Sequence, residues 1–249
     1  MSGHNKWSTI KHKKAATDAK RGKIYTRLVK EIILAAKSGG GDPEMNPRLR
    51  TAINTAKKEN MPRENIERAV KRGTGEIEGA AYEEITYEGY GHSGVGIVIE
   101  VMTDNKNRTV ADVRHALSKY GGNLAEAGAV SWNFDQKGFF TIPAAGLEED
   151  DFMMTALEAG AQDVELHDEN FCIYTSPTEF HTVLSAMETL GFPVENPELT
   201  RVPKNFINAD DVAEKLMKLI DMLEDLDDVQ KVYTNLEFSD EVIAKLNQE

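Results

Sequence analysis

The sequence predicts an α+β protein with three domains, a helical one at the N-terminal end and two built of strands and helices. Two observations lead to this prediction. Residues 1–75 contain 18 Lys and Arg against 7 Asp and Glu, whereas residues 76–249 contain 11 against 35. Close to the same boundary, the hydrophobic spacing changes from a helical period to short β-branched runs. A basic helical head, defined as residues 1–79, therefore precedes an acidic body.

The overall composition is typical of a folded protein without membrane spans. Hydrophobic residues make up 40% of the chain and charged residues 29%, which is ordinary for a soluble protein. No run approaches the roughly 20 apolar residues that span a bilayer, and the N-terminus lacks the apolar segment of a secretory signal. The single cysteine, Cys172, excludes an internal disulfide. We expect a cytoplasmic protein with no membrane partner.

The clearest helix of the head is predicted over residues 20–38. Ile24, Leu28 and Ile32 recur at helical spacing and form its apolar side. The cations on the opposite side are Lys20, Lys23, Arg27, Lys30 and Lys37. Like charges at this spacing slightly destabilise an isolated helix, so the cationic face indicates a function.

Two shorter helices are predicted in the rest of the head. Asn46 and Pro47 have the residue types of an N-cap and a first helical position. Pro62 restarts the chain for the second helix, which is expected to end at Gly73 in the left-handed conformation. Ahead of all three helices, residues 6–14 interleave lysines with Trp7, a pattern that suits phosphate contact with base stacking. Trp7 by itself is more typical of a residue packed in the core.

The acidic body begins with strands predicted over 84–88 and 94–101, a helix over 109–120 and a strand over 129–134. The elements that follow are a strand at 139–142, a helix at 147–159, strands at 163–166 and 171–174, a helix at 177–190 and a strand at 194–202. Their order, β-α-β-β-α-β, is that of the split βαβ, or ferredoxin-like, motif. A helix over 210–226 and a strand over 229–236 complete the body.

We therefore predict that residues 80–134 and 206–249 form one discontinuous ferredoxin-like domain, with a second over residues 135–205 inserted into it. A linear arrangement of three domains would use the same elements, so both arrangements stay open at this point.

Motifs for catalysis or cofactor binding are missing. Residues 94–96 (GVG) lack the third glycine of a dinucleotide-binding loop, and the six histidines include no pair with zinc-ligand spacing. Cys172, between Phe171 and Ile173, is more typical of a core residue than of a nucleophile. We expect no enzymatic activity, cofactor, metal or small-molecule substrate.

Two polar runs of the body allow more than one interpretation. In residues 104–109 (DNKNRT), Asn107 or Thr109 could cap a helix, or Lys106 and Arg108 could contact phosphate. The acidic run holds Asp221, Glu224, Asp225, Asp227 and Asp228. It is most simply a solvated helix end, and it lacks the glycine of a calcium loop. Alternatively it repels nucleic acid, or docks against the head when nucleic acid is absent. The acidic body is also a candidate surface for a protein partner.

Several motifs of the chain resemble those of the YebC family of bacteria and organelles. They are GHNKW (3–7), KKAATDAKRGK (13–23), GGGDP (39–43), NPRLR (46–50), YEGYG (87–91), DNKNRT (104–109), GGNL (121–124) and LIDMLEDLDDVQ (219–230). The resemblance implies a helical N-terminal domain and two α+β domains, and no catalytic residue. Members are generally described as DNA-binding transcriptional regulators, and others are linked to translation at the ribosome.

The predicted function is a non-enzymatic, nucleic-acid-binding regulator, with DNA as the leading target. The alternative is a ribosome-associated factor that contacts large-subunit rRNA and relieves stalling on difficult nascent sequences. Cations that match the family motifs are Lys6, Lys13, Lys14, Lys20, Arg21, Lys23, Arg48 and Arg50. With Lys11, Arg27, Lys30, Lys71 and Arg72, added from the charge pattern, they form the predicted nucleic-acid contacts.

Overall fold

A computed structural model describes residues 18–167 and 169–246. The helices are α1 (Asp18–Gly39), α2 (Pro47–Lys58), α3 (Arg63–Gly73), α4 (Lys106–Lys119), α5 (Glu149–Glu158), α6 (Phe180–Thr189), α7 (Ala213–Glu224) and α8 (Asp240–Leu246). The strands are β1 (Glu83–Tyr90), β2 (Gly96–Thr103), β3 (Asn123–Ala125), β4 (Phe134–Pro143), β5 (Asp163–His167), β6 (Asn170–Thr175), β7 (Glu195–Pro203), β8 (Ile207–Asn208), β9 (Val229–Thr234) and β10 (Leu236–Glu237). The α+β class is thus confirmed. Within the described ranges, no helix has both the length and the apolar character needed to cross a membrane.

The chain divides into two compact units, one of residues 1–133 with 205–249 and one of residues 134–204. The first unit holds the helices of the head and the sheet formed by β1, β2, β3 and β9, and the second holds the sheet of β4 to β7. The finer division of the first unit into residues 1–79 and a discontinuous domain stays a prediction.

Helices α1, α2 and α3 pack around an aliphatic core. Its buried members include Ile32 of α1, Leu49 of α2 and Ile66 of α3. Asn46 is the N-cap of α2 as predicted, because its Oδ1 accepts a hydrogen bond from the Leu49 backbone nitrogen at 3.1 Å. Its amide nitrogen donates to the carbonyl of Ala35 in α1 at 2.8 Å. One side chain therefore starts α2 and ties it to α1.

The expectation that Gly73 takes the left-handed conformation is wrong. Gly73 lies within α3, and the residue with positive φ is Gly75, at +82°. A Cβ atom at Gly73 would lie 2.4 Å from the Ile33 carbonyl oxygen and 2.6 Å from the Ala36 Cβ. Because such distances are shorter than real contacts, glycine is needed here for the close approach of α1 and α3.

The first sheet is antiparallel, with strand order β3-β1-β2-β9. Helix α4 joins β2 to β3, which lie on either side of β1. The core combines Ile99 of β2, Val113 and Leu117 of α4, and Leu216 and Ile220 of α7, all fully or almost fully buried. Strand β9 closes the sheet, although it follows the second unit in the chain.

The third strand of this sheet lies at Asn123–Ala125, so the strand predicted over 129–134 is wrong. The backbone nitrogens of Gly128, Val130 and Ser131 donate to the Glu88 carboxylate at 2.8, 2.6 and 2.9 Å. Burial by itself would raise the pKa of Glu88, but the hydrogen bonds that its carboxylate accepts lower the pKa by more. The pKa of Glu88 therefore lies below its usual value. The segment is a turn held by one carboxylate, and Trp132 is 65% exposed.

Along the chain, the second unit has the elements β4, α5, β5, β6, α6 and β7, which is the predicted β-α-β-β-α-β order. In its sheet the strands lie in the order β5-β6-β4-β7. Phe140 of β4, Phe171 of β6 and Phe180 of α6 are buried in its core. Cys172 is buried as well, as predicted for a core residue.

The residues that flank the second unit are joined by hydrogen bonds. The Asn205 backbone nitrogen donates to Asn133 Oδ1 at 3.1 Å, and Asn133 Nδ2 donates to the Asn205 carbonyl at 2.9 Å. This pair brings the two chain connections close together.

Asp228 is buried where the head meets the first sheet. Its Oδ1 accepts from Lys30 Nζ at 2.9 Å, and its Oδ2 accepts from Arg108 Nη2 at 2.6 Å and from Thr109 Oγ1 at 2.7 Å. Burial raises the pKa of Asp228, but the hydrogen bonds from Arg108, Lys30 and Thr109 lower it to about 2 from its usual 3.8. The carboxylate is therefore charged throughout the physiological range.

Replacing Gly73 by Ala should destabilise the protein, although alanine has the higher helix propensity. The added methyl group would displace either Ile33 or Ala36 and separate α1 from α3. The matched control is Gly22→Ala in α1, where a Cβ atom meets nothing within 4 Å; it should stabilise by about 0.5–1 kcal/mol. Urea denaturation of both variants measures the difference. Equal changes of the same sign would contradict the packing role of Gly73.

Asp228→Asn should destabilise the protein by about 3 kcal/mol at neutral pH, because the buried Lys30 ammonium would lose its charged partner. Asp227→Asn is the matched control: its side chain is exposed, and its contact with Lys30 uses the backbone carbonyl. We expect Asp227→Asn to lower the free energy of unfolding by less than about 0.5 kcal/mol.

The same pair of variants gives an expected pH dependence. The pKa of Asp228 is lower in the folded protein than in the unfolded chain. The charged carboxylate therefore contributes to the free energy of unfolding at pH values above its ordinary pKa, and this contribution is lost as the pH falls through the folded pKa. Stability measured from about pH 4 down to about pH 2 should therefore fall more steeply in the wild type than in Asp228→Asn. Parallel curves would argue against an ionised, paired Asp228.

Candidate nucleic-acid interface

The predicted contact residues separate into groups by their surroundings. Lys6, Lys11, Lys13 and Lys14 lie outside the described residues. Lys20 and Arg21 lie in α1, where only their backbone is described. Of the others, the side chains of Lys23, Arg27, Lys30 and Arg48 contact acceptors of the first unit. The side chains of Arg50, Lys71 and Arg72 contact no such acceptor among the residues that the structure describes.

Lys30 is buried, with 5% of its surface exposed. Its ammonium donates to the Met102 carbonyl at 3.1 Å, the Asp227 carbonyl at 2.8 Å and Asp228 Oδ1 at 2.9 Å. A lysine ammonium has three donors, so in this arrangement none is left for an external phosphate.

Lys23 and Arg27 lie on the same face of α1 and contact the segment that ends α7. Lys23 Nζ is 2.7 Å from Asp225 Oδ1 and 3.1 Å from the Asp225 carbonyl oxygen. The Arg27 guanidinium donates to the Glu224 carbonyl. Burial lowers the pKa of Arg27 from its usual value, against the opposing effect of Glu224, Asp225 and Asp227.

These contacts have a simple electrostatic cause. The last carbonyl groups of a helix lack partners within the helix and carry its partial negative charge. At the end of α7, side chains from α1 supply missing donors to the carbonyls of Glu224, the last residue of the helix, and of Asp225, its C-cap. Lys30 donates to the carbonyl of Asp227, which lies just beyond the helix. The cationic face predicted for α1 therefore caps α7 from another part of the chain.

Arg48, in α2, is held by two carboxylates. Its Nε lies 2.7 Å from Glu31 Oε1, and its Nη2 donates to Glu84 of β1. Burial alone would lower the pKa of Arg48, but the hydrogen bonds to Glu31 and Glu84 raise it above its usual value. Arg48 thus links α1, α2 and the first sheet.

A second group of cations lies on the outer sides of α2 and α3. Its members are Arg50 and Lys57 on α2 and Arg68, Lys71 and Arg72 on α3. Arg50 is half-buried and the other four are exposed. Among the residues that the structure describes, none of the five forms an ion pair with a carboxylate. We call these five residues the open cations.

Two of the open cations, Lys57 and Arg68, were not among the predicted contacts. The sequence contains a signal for each. At 100° per residue, Arg68, Lys71 and Arg72 fall within an arc of roughly 100° on α3, and Lys57 lies on the same side of α2 as Arg50. Counting cations by helix face, rather than by motif, would have found both.

The polar run at residues 104–109 caps α4, though by a residue other than the two predicted. Asn105 is the N-cap, and its Oδ1 accepts from the Arg108 backbone nitrogen at 3.1 Å. Lys106 Nζ pairs with Glu83 at 2.8 Å, and Arg108 pairs with Asp104 at 2.9 Å as well as with Asp228. Both cations are thus engaged inside the first unit.

Of the interpretations of the acidic run, docking against the head agrees with the contacts of Asp225 and Asp228. In the described ranges, the acidic run included, no three His, Cys, Asp or Glu side chains are grouped so that they could hold a metal ion.

Two family models match the chain. Residues 5–76 match the TACO1/YebC protein N-terminal domain, and residues 82–236 match the TACO1/YebC second and third domain. Among similar proteins, a probable transcriptional regulatory protein of Chlorobaculum tepidum is 53% identical, with 100% of each chain covered. One of Geobacter sulfurreducens is 55% identical, covering 99% of this chain and 100% of the relative.

A solved structure has the same fold. The crystal structure of a conserved hypothetical protein from Aquifex aeolicus has a TM-score of 0.82 and 48% sequence identity, and it covers 90% of this chain and 93% of its own. The resemblance noted from the sequence motifs is confirmed. The chain belongs to the TACO1/YebC family.

Proposed function

We propose that this protein regulates gene expression by binding nucleic acid through its helical head, without catalysing a reaction, and that its target is DNA. The observation that carries the proposal is the set of open cations. They lie on two helices of one small bundle and have no carboxylate partner among the described residues. Phosphate groups are the partners that such uncommitted cations suit best.

The distribution of charge supports the same proposal. Residues 76–249 contain 35 acidic against 11 basic residues, so the body repels a polyanion and leaves the head as the surface of approach. The acidic body is then the surface for a protein partner.

The relatives support regulation, since those compared are named probable transcriptional regulatory proteins. The alternative, a ribosome-associated factor that contacts rRNA, would use the same cations. Phosphate contacts carry no sequence information, so charge alone favours neither nucleic acid.

Replacing Arg68, Lys71 and Arg72 together by Gln should weaken binding to duplex DNA and reduce its salt dependence. Each phosphate contact contributes about −0.9 to the slope of log affinity against log salt. The slope should therefore flatten by roughly 2.5 units if all three residues contact phosphate. Fluorescence anisotropy with a labelled duplex at several salt concentrations measures it.

The matched control removes three exposed cations from the body, Arg114, Lys119 and Lys215, also as Gln. It alters the net charge by the same amount, so an effect of net charge alone would appear equally in both variants. Equal flattening would move the binding surface away from α3.

Sedimentation of cell lysate at moderate salt separates the two targets. The variant with Gln at positions 68, 71 and 72 is called the head variant here. If DNA is the target, the wild-type protein should remain with chromosomal DNA and be absent from ribosomes, and the head variant should be lost from the DNA. If instead the wild type and the control variant migrate with the large ribosomal subunit and the head variant does not, the rRNA alternative is established.

A further inference from the structure

We propose that residues 224–227, at the end of α7, compete with nucleic acid for Lys23 and Arg27. In the closed arrangement this acidic segment occupies the two cations, and the phosphates of a nucleic acid replace it on binding. The inference rests on the proposed function, and it adds that an acidic segment of the same chain lowers the affinity of the head for nucleic acid.

The acceptors offered by this segment resemble those of a phosphate backbone. Lys23 contacts the Asp225 carboxylate and carbonyl, and Arg27 donates to the Glu224 carbonyl. The charges of Glu224, Asp225 and Asp227 also raise the pKa of Arg27, against the larger lowering by burial. Anionic and carbonyl oxygens therefore lie where phosphate oxygens would bind.

The contacts become weaker toward the surface. Lys30 and Asp228 are 6% and 9% exposed at the side chain, whereas Lys23 and Asp225 are 39% and 73% exposed. An ion pair as exposed as the second contributes little in water and is screened by salt. A polyanion can therefore displace Asp225 while the buried pair keeps the head attached to the sheet.

The position of Lys23 and Arg27 also favours exchange. They are four residues apart on one face of α1, and they lie about one turn (Arg27) and two turns (Lys23) toward the N-terminus from Lys30. Residues 6–21, rich in cations, precede them in the chain. The cationic run of the sequence therefore leads directly into the two contested residues.

A double-mutant cycle tests the competition. Asp225→Asn should tighten binding to a 20-base-pair DNA duplex by about twofold to fivefold, which is the effect of removing one exposed ion pair. In a Lys23→Gln, Arg27→Gln background, the same substitution should have no effect, because the contested cations are absent. Lys30 and Asp228 are untouched in every variant.

The matched control is Asp112→Asn, which removes one exposed acid from α4. It should tighten binding by less than about twofold, because it changes only the net charge. An RNA hairpin with the same number of phosphates serves as a second probe. If it responds as the duplex does, the competition is for phosphate groups common to both; a response with one probe alone assigns it to that nucleic acid.

Two results would overturn the inference. An effect of Asp225→Asn that equals the effect of Asp112→Asn, or that persists without Lys23 and Arg27, would show that the acidic segment does not compete, and the proposed function would stand. If neither probe bound the wild type or Asp225→Asn, both the inference and the proposed function would fail together.

Discussion

A buried carboxylate governs how the head of this protein meets its first sheet. Asp228 accepts hydrogen bonds from Lys30, Arg108 and Thr109, which belong to α1 and to α4. Lys30 could not be buried here without Asp228, because an unpaired charge in the interior is strongly unfavourable. This pair therefore helps to hold α1 against the first sheet, together with the contact of Arg48 with Glu84.

The charge of the head consequently serves two purposes. Lys23, Arg27, Lys30 and Arg48 contact acceptors of the same chain, so they bring parts of the first unit together. The open cations of α2 and α3 have no such acceptors among the described residues. A count of Lys and Arg in the head gives one basic module, but the contacts divide it into cations that have acceptors in the same chain and cations that have none among the described residues.

Local sequence signals predicted much of the fold. The N-cap at Asn46, the ends of α1 and the strand order of the second unit follow from residue types and spacing over a few positions. The predictions failed where a distant group decides the local structure. Gly73 is explained by the approach of α1, and the turn at residues 128–131 is held by Glu88, some 40 residues earlier. The carboxylate partners of Lys23 and Lys30 lie about 200 residues away, beyond the reach of any local pattern.

The insertion of residues 134–204 between β3 and α7 also sets an order for folding. The head has its own core and can form early, but two of the three acceptors of Lys30, on Asp227 and Asp228, lie after the second unit, 197 and 198 residues along the chain. During synthesis, the cationic face of α1 therefore exists for a time without its intramolecular partners. Since N-terminal segments fold first on the ribosome, the newly made head presents a charge pattern that the finished protein conceals.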